Sequence, residues 1–341
     1  MTITAVVPVW NGRDLLARLL ASLAAQTTPA AEVLVVDNGS HDGAPALACQ
    51  RGARVIPMGR NAGFAAAVNR GIREARGEWI AVLNSDVELA PDYFEKLLAA
   101  GAPFATGKIL QPAQPLIDAM MIDSTMIDPM IDATFDALCR GGTAWRAGSG
   151  RPDGPIFSQE LAIASPPWTA VLVRADVFER VGLLEETFES YLEDVDFGMR
   201  CAALHIQGRY VPTALARHWG SATLGRWHPE TVRRIARNQL LLLARHYPSR
   251  VMLRWWWPIL VAQLLWGGVA LRHGTGFAWL RGKWQGISGF AAARGTCRGI
   301  DADFLKKWLP ENERRIREIQ QATGFDSYWK LYFFLTRGGT K

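Results

Sequence analysis

Cysteine is scarce and scattered in this chain: four residues among 341, at Cys49, Cys139, Cys201 and Cys297. None forms a C-x-x-C pair, so a zinc ribbon or disulfide framework has no support and a reducing compartment is expected. The amino terminus, Thr2-Ile3-Thr4-Ala5-Val6-Val7-Pro8, lacks the basic start, long apolar core and cleavage site of a secretory signal. It reads instead as the first β-strand of a cytoplasmic protein. Charged residues make up only 21% of the chain and apolar ones 49%, a balance that excludes disorder.

Acidic residues thin out toward the carboxyl end. Residues 1–232 hold 19 Lys and Arg against 26 Asp and Glu, a net of −7, whereas residues 233–341 hold 19 against 6, a net of +13. A basic tail on an acidic body calls for an anionic partner. Nucleic acid would satisfy the charge. However, eight of the fourteen Trp lie beyond residue 250, and Trp with Arg beside apolar runs suits a membrane interface better. No nucleic-acid partner is expected.

The first hundred residues alternate short apolar runs with helical stretches. The runs are Ile3–Val9, Val33–Val36, Arg54–Pro57 and Trp79–Leu83, and the helices Arg13–Gln26, Ala44–Arg51, Ala65–Ala75 and Pro91–Ala99. Such alternation predicts an α/β fold with βαβ units and a mostly parallel sheet. Further on, Trp168–Arg174 reads as a strand, Ala175–Val181 as a short helix, Asp194–Ala203 as a helix and Arg209–Val211 as a strand. The run Ile117-Asp118, Ile122-Asp123, Ile127-Asp128, Ile131-Asp132 resembles a drifting repeat and reads as loop plus a strand edge. Val232–His246 is helical, and Val251–Leu271 is apolar apart from Arg254 and Gln263.

Open parallel sheets bind ligands beyond the carboxyl ends of their strands. The segments placed there are Trp10-Asn11-Gly12, Asp37-Asn38-Gly39-Ser40 and Asn84-Ser85-Asp86, all polar or turn-forming. A carboxylate at position 37 can accept the N3–H of uracil or thymine, or bond a ribose hydroxyl, but it can equally cap a turn. Asp86 can bind Mg²⁺ or Mn²⁺ through oxygen, or cap the helix expected near Pro91. Glu193, Asp194 and Asp196 put three carboxylates in four positions, too close on a helix for all to face one cleft. One that does face it could act as a general base. His218 follows a strand and offers a second metal or diphosphate contact, or a structural imidazole.

Five ordered segments together are similar to the family-2 glycosyltransferases, inverting enzymes of GT-A fold, and nearest to their bacterial rhamnosyltransferase-like branch. They are Val6-Val7-Pro8-Val9-Trp10-Asn11-Gly12, Val36-Asp37-Asn38-Gly39-Ser40, Asn61-Ala62-Gly63-Phe64 continuing to Asn69-Arg70-Gly71-Ile72, Leu83-Asn84-Ser85-Asp86, and Tyr191-Leu192-Glu193-Asp194-Val195-Asp196-Phe197 with His218 following. The resemblance spans residues 2–245.

The resemblance implies that Pro8, Val9, Trp10 and Asn11 line the nucleotide, with Asp37 on base or ribose. Asn61, Gly63 and Asn69 would close against it. Asn84-Ser85-Asp86 stands where the family carries an acidic triplet, so Asn84 and Ser85 would contact the nucleotide and Asp86 would hold the metal with His218 as second ligand. Asp194 would be the base, with Glu193 the alternative or an acceptor contact, and Trp168 would line the sugar or acceptor pocket unless it serves the core.

The organisation that follows is a catalytic domain over 1–228, nucleotide-binding to about 105 and acceptor-binding over 106–228, then a basic, Trp-rich helical region over 229–341. The expected reaction is metal-dependent, inverting transfer from dTDP-rhamnose or a UDP-sugar to a glycan or lipid-linked acceptor of a bacterial cell-surface polysaccharide. Residues 251–271 are long enough to cross a bilayer, but Pro258 and the internal polar residues favour lying on its cytoplasmic face, peripheral or monotopic. The same segment could instead form a core or dimer helix.

Two other classes fit less well. A nucleotidyltransferase would need a Gly-rich basic loop after the first strand, where this chain has Trp10-Asn11-Gly12-Arg13. A non-catalytic sugar-nucleotide-binding protein would not need Asp86, Asp194 and His218 together.

Overall fold

Short Val- and Ile-rich runs become strands because β-branched side chains pack well on a pleated surface, and here both faces are covered. The computed structural model describes residues 1–112, 129–220, 225, 227–296 and 299–337. The amino-terminal part runs β1 (Ile3–Val9), α1 (Arg13–Ala24), β2 (Glu32–Asp37), α2 (Ala44–Gln50), β3 (Arg54–Pro57), α3 (Phe64–Glu74) and β4 (Trp79–Leu83). It continues with β5 (Val87–Leu89), α4 (Tyr93–Ala99), β6 (Phe104–Leu110) and β7 (Ile131–Ala133). After these come β8 (Asp136–Leu138), β9 (Ala144–Arg146), β10 (Leu161–Ile163), β11 (Ala170–Arg174), α5 (Ala175–Val181), α6 (Glu193–Ala203) and β12 (Gly208–His218). The rest is helical: α7 (Pro229–His246), α8 (Ser249–Arg254), α9 (Trp256–Arg272), α10 (Gly276–Arg294), α11 (Ala302–Thr323) and α12 (Ser327–Leu335).

The chain divides into two compact units. The first comprises residues 1–135, 146–182 and 207–222, the second 136–145, 183–206 and 223–341. In the first unit the sheet order is β10-β12-β6-β11-β4-β1-β2-β3, with β5 beside β12 and β7 beside β6. Strands β3, β2, β1 and β4 are parallel. Helix α3 sits hard against them: a Cβ on Gly71 would stand 2.3 Å from Val6 Cγ1, so only glycine allows that approach.

The expectation of a mostly parallel sheet is corrected beyond β4. There β11 runs antiparallel to both β4 and β6, β10 and β5 run antiparallel to β12, and only β6 and β12 are parallel. Direction there is set by the partners: β11 enters between β4 and β6 and meets both antiparallel, while the three-residue link Asn84-Ser85-Asp86 leads from β4 to β5, which pairs with β12 instead. The fold is therefore mixed α/β, a central sheet flanked by helices.

The second unit is built around Leu138, Phe188, Val195, Leu242, Tyr247 and Leu305. A buried ion pair joins Arg140 Nε to Glu313 Oε2 at 2.8 Å, and Tyr332 donates to Glu313 Oε1 at 2.6 Å. The apolar stretch 251–271 is not one helix. It breaks at Trp255 between α8 and α9, because Pro258 has no N–H to bond the carbonyl one turn back. Among the described residues no helix is long and apolar enough to cross a membrane.

Candidate active site

The loops after β1, β2 and β3 are stapled to one another by short polar side chains. The Asn11 N–H donates to Ser40 Oγ at 2.8 Å, and the His41 N–H donates to Asn11 Oδ1 at 2.9 Å. Asn11 itself is left-handed, at φ 60°. Asn38 joins the next pair: its amide donates to Asn61 Oδ1 (3.1 Å) and Gly63 O (3.2 Å), and its Oδ1 accepts from the Ala62 N–H (2.8 Å). Asn38 lies in a motif quoted above but was given no role there.

Asp37 accepts the Ser40 N–H at 2.9 Å through Oδ1, so the turn-forming alternative describes part of what it does. Pro8 and Val9 belong to β1, and Trp10 beyond them is exposed. Asn69 is buried within α3.

Asp86 caps no helix. Val87–Leu89 form β5, and α4 begins only at Tyr93 behind Asp92. Instead β5 pairs antiparallel with the end of β12, setting His218 opposite Val87. That register brings His218 Nε2 to 3.2 Å from Asp86 Oδ1. On the other side of the ring, Nδ1 lies 2.8 Å from Asp132 Oδ2, a residue of β7.

Burial alone would lower the His218 pKa. The hydrogen bonds to Asp132 and Asp86 and their two charges outweigh it and raise the value to about 9. Without a cation the ring favours its protonated form; ligation through Nε2 would require that proton to leave, with Nδ1–H still donating to Asp132.

Asp132 went unrecognised in the sequence. It is the last member of the Ile-Asp run, whose earlier members at 117–118, 122–123 and 127–128 lie outside the described residues.

An imidazole nitrogen and a carboxylate oxygen this close, neither sealed from solvent, make a mixed donor set of the kind Mn²⁺ or Mg²⁺ accepts. Among the described residues no group of three or more His, Cys, Asp or Glu side chains is arranged to hold a metal by itself. Two such donors would leave most of a cation's coordination to other ligands.

Asp194 and Glu193 belong to the second unit, in the first turn of α6, at 7% and 6% exposure. Asp194 Oδ1 accepts the Val195 N–H at 2.8 Å. Asp196, in the same motif, does a different job. It is fully buried and accepts from His246 Nε2 (2.7 Å), Arg245 Nε (2.9 Å) and Arg200 Nε (3.0 Å). Burial opposes its charge, but those three cations hold its carboxyl far below the ordinary range. Asp196 anchors the helix.

The backbone leading into α6 is unusual. Glu189, Tyr191 and Leu192 are all left-handed, at φ 61°, 73° and 69°. Each non-glycine residue so held costs on the order of 1–3 kcal/mol and persists only where its surroundings fix it. Helix α7 supplies the fixing. The Asn238 amide donates to the carbonyls of Phe188 (2.9 Å), Ser190 (3.0 Å) and Tyr191 (2.8 Å), and Arg237 Nη1 bonds Glu189 Oε1 at 2.7 Å. Neither residue carries a motif, so no sequence signal marked them.

Trp168 follows the core alternative: at 2% exposure it packs edge-on against Phe178, with ring centroids 6.2 Å apart.

This chain belongs to glycosyl transferase family 2, whose profile matches residues 4–101, and it is a sugar-transferring enzyme. Among its relatives is the N-acetylglucosaminyl-diphospho-decaprenol L-rhamnosyltransferase of Mycobacterium tuberculosis, 31% identical over 279 residues that cover 75% of this chain and 87% of the relative. The fold resembles that of GalNAc-T7 solved with UDP, GalNAc and Mn²⁺, at a TM-score of 0.60 and 12% identity, covering 95% of this chain and 58% of that one. It also resembles the mannosyltransferase PcManGT from Pyrobaculum calidifontis in complex with GDP-Man and Mn²⁺, at a TM-score of 0.50 and 14% identity, covering 99% and 88%. At those identities the two structures establish the GT-A fold and nothing finer.

Proposed function

We propose that this enzyme transfers a sugar with inversion from dTDP-rhamnose or a UDP-sugar to a glycan or lipid-linked acceptor, in synthesis of a bacterial surface polysaccharide. The observation that carries the reading is the Asp86–His218 pair at the sheet edge, held by Asp132, in a chain 31% identical to a rhamnosyltransferase.

Asp37 takes the N3–H of the pyrimidine or a ribose hydroxyl, and the stapled loops around Asn11, Asn38 and Asn61 keep the nucleoside in place. Asp86 and His218 would hold a divalent cation, which would offset the charge developing on the leaving diphosphate. Asp194 accepts the proton of the acceptor hydroxyl as its oxygen bonds the anomeric carbon. The bond to the nucleoside diphosphate breaks on the opposite face, so configuration inverts. Asn238 and Arg237 keep the turn before Asp194 in its left-handed form.

The enzyme works at the cytoplasmic face of the inner membrane as a peripheral or monotopic protein. The relative's printed substrate, a decaprenol diphosphate, and the basic tail support this placement.

A thermal-shift panel of sugar nucleotides with and without Mn²⁺ or Mg²⁺ tests the donor and the cation together, since a ligand bound to the native state raises its melting temperature. The expected outcome is stabilisation by a thymidine or uridine diphosphate sugar that EDTA removes. Stabilisation by neither, or an unchanged shift in EDTA, sinks the donor or the metal respectively.

A further inference from the structure

Helices α9 and α10 are built inside out. On α9, Trp256, Leu260 and Leu264 follow at intervals of four residues, one exposed stripe along the helix. On α10, Phe277, Trp284 and Ile287 form a second stripe, from 62% to 81% exposed.

The polar contacts lie on the hidden side. There Lys283 is buried, its amine donating to Ala236 O at 3.0 Å, to Gln239 Oε1 at 2.8 Å and to Gln263 Oε1. Glycine lets α10 press that face onto α7: a Cβ on Gly282 would stand 2.3 Å from Arg233 O, and one on Gly286 2.9 Å from Arg237 O. A helix pair solvated by water places its large apolar residues on the packed face and its polar ones outside. This pair hides small residues together with Lys283 and Gln263 and leaves large apolar side chains outside, beside exposed Arg272 and Arg281.

We propose that α9 and α10 form a hairpin that enters one leaflet of an anionic bilayer through these stripes without crossing it. The proposal rests on, and sharpens, the membrane placement given above. Depth is limited by length, because α9 has 17 residues and at about 1.5 Å each falls short of a hydrocarbon core.

Charge selects the lipid. From Thr231 to Ile300 the sequence holds eleven Lys and Arg and no Asp or Glu, and Arg250, Arg254, Arg272 and Arg281 are exposed. A second copy of the hairpin would bring like charges together with no carboxylate to meet them. Anionic headgroups above an acyl layer satisfy both the arginines and the stripes.

The test uses the full chain and vesicles of phosphatidylcholine with or without phosphatidylglycerol. Wild type should float with the anionic vesicles. A variant carrying Leu264→Asn, Phe277→Ser, Trp284→Gln and Ile287→Ser should lose more than about tenfold in vesicle affinity, with donor-induced thermal shift unchanged. All four positions are exposed, so folding is not at stake. In a Cys49→Ser, Cys297→Ser background, an environment-sensitive dye on Leu264→Cys should blue-shift with vesicles, and one on Arg314→Cys should not. No vesicle binding by wild type would overturn the membrane placement itself. Binding retained by the fourfold variant, or no dye shift at position 264, would overturn the hairpin alone. A wild-type dimer that the variant converts to monomer, with no vesicle binding, would assign the stripes to a second copy instead.

Discussion

Both units bury an apolar core, but one helix pair in the second, α9 and α10, departs from the pattern the first follows throughout its sheet. In the first, strand residues such as Val7, Val35 and Ala81 are fully buried and the polar loops stand at the strand ends. In the second, α9 and α10 hide Lys283 and Gln263 and expose Trp256, Phe277 and Trp284. Apolar content alone therefore does not tell which side of a helix faces inward. What separates the units is where the polar atoms find partners: at loop tips in the first, between helices in the second.

The comparison breaks most sharply at the acidic motif of α6, whose carboxylates are assigned opposite duties. Asp194→Asn should lower transfer by about a thousandfold while donor binding survives, measured by nucleoside diphosphate release and donor affinity side by side. Equal loss of both would make Asp194 an anchor like its neighbour.

Next in size, Asp196→Ala leaves the cations of Arg200, Arg245 and His246 buried without their shared carboxylate. A loss of about 3–5 kcal/mol in urea unfolding is expected. The native pKa of Asp196 is depressed, so its contribution is present above the unfolded value near ~3.9 and fades as pH falls below it. Asp196→Ala should accordingly show a shallower acid limb than wild type.

In the first unit, Asp132→Asn should weaken Mn²⁺ binding about 10- to 100-fold, because a carboxylate behind a ligating imidazole fixes its orientation. Titration of Mn²⁺ by electron paramagnetic resonance in the presence of nucleoside diphosphate would measure it. An unchanged affinity would leave Asp132 a purely structural partner.

The smallest effect belongs to Lys283. Burial lowers its pKa to about 7. Between that value and the unfolded one near ~10.4 the unfolded chain binds more protons, so wild-type stability should rise with pH across the window. Lys283→Met should flatten that slope while changing stability at the alkaline end by less than about 1 kcal/mol. A persistent slope would place the titrating group elsewhere.

Much of the first unit was legible because its signals are local. Arg54–Pro57 and Trp79–Leu83 are strands to the residue, and Asp37 and Asp86 stand at strand ends as expected. The antiparallel seat of β11 was not legible, since strand direction is set by partners rather than by composition. Asp132 was hidden because its value comes from a ring 86 residues away. The division of labour between Asp194 and Asp196 depends on α7, and the break at Trp255 on one missing N–H. Trp168 shows the same limit, for an aromatic beside a strand reads alike whether it faces a ligand or the core.

Helix α7 gives the second unit its leverage. At Arg237 the carbonyl lies beneath Gly286 of α10, while the guanidinium grips Glu189, and the adjacent Asn238 spans three carbonyls just ahead of Asp194. One helix thus carries the seat of α10 on one flank and the turn ahead of Asp194 on the other. If α10 meets lipid and Asp194 takes the acceptor's proton as proposed, a tilt of α10 against α7 would bear on both at adjacent residues, Arg237 and Asn238.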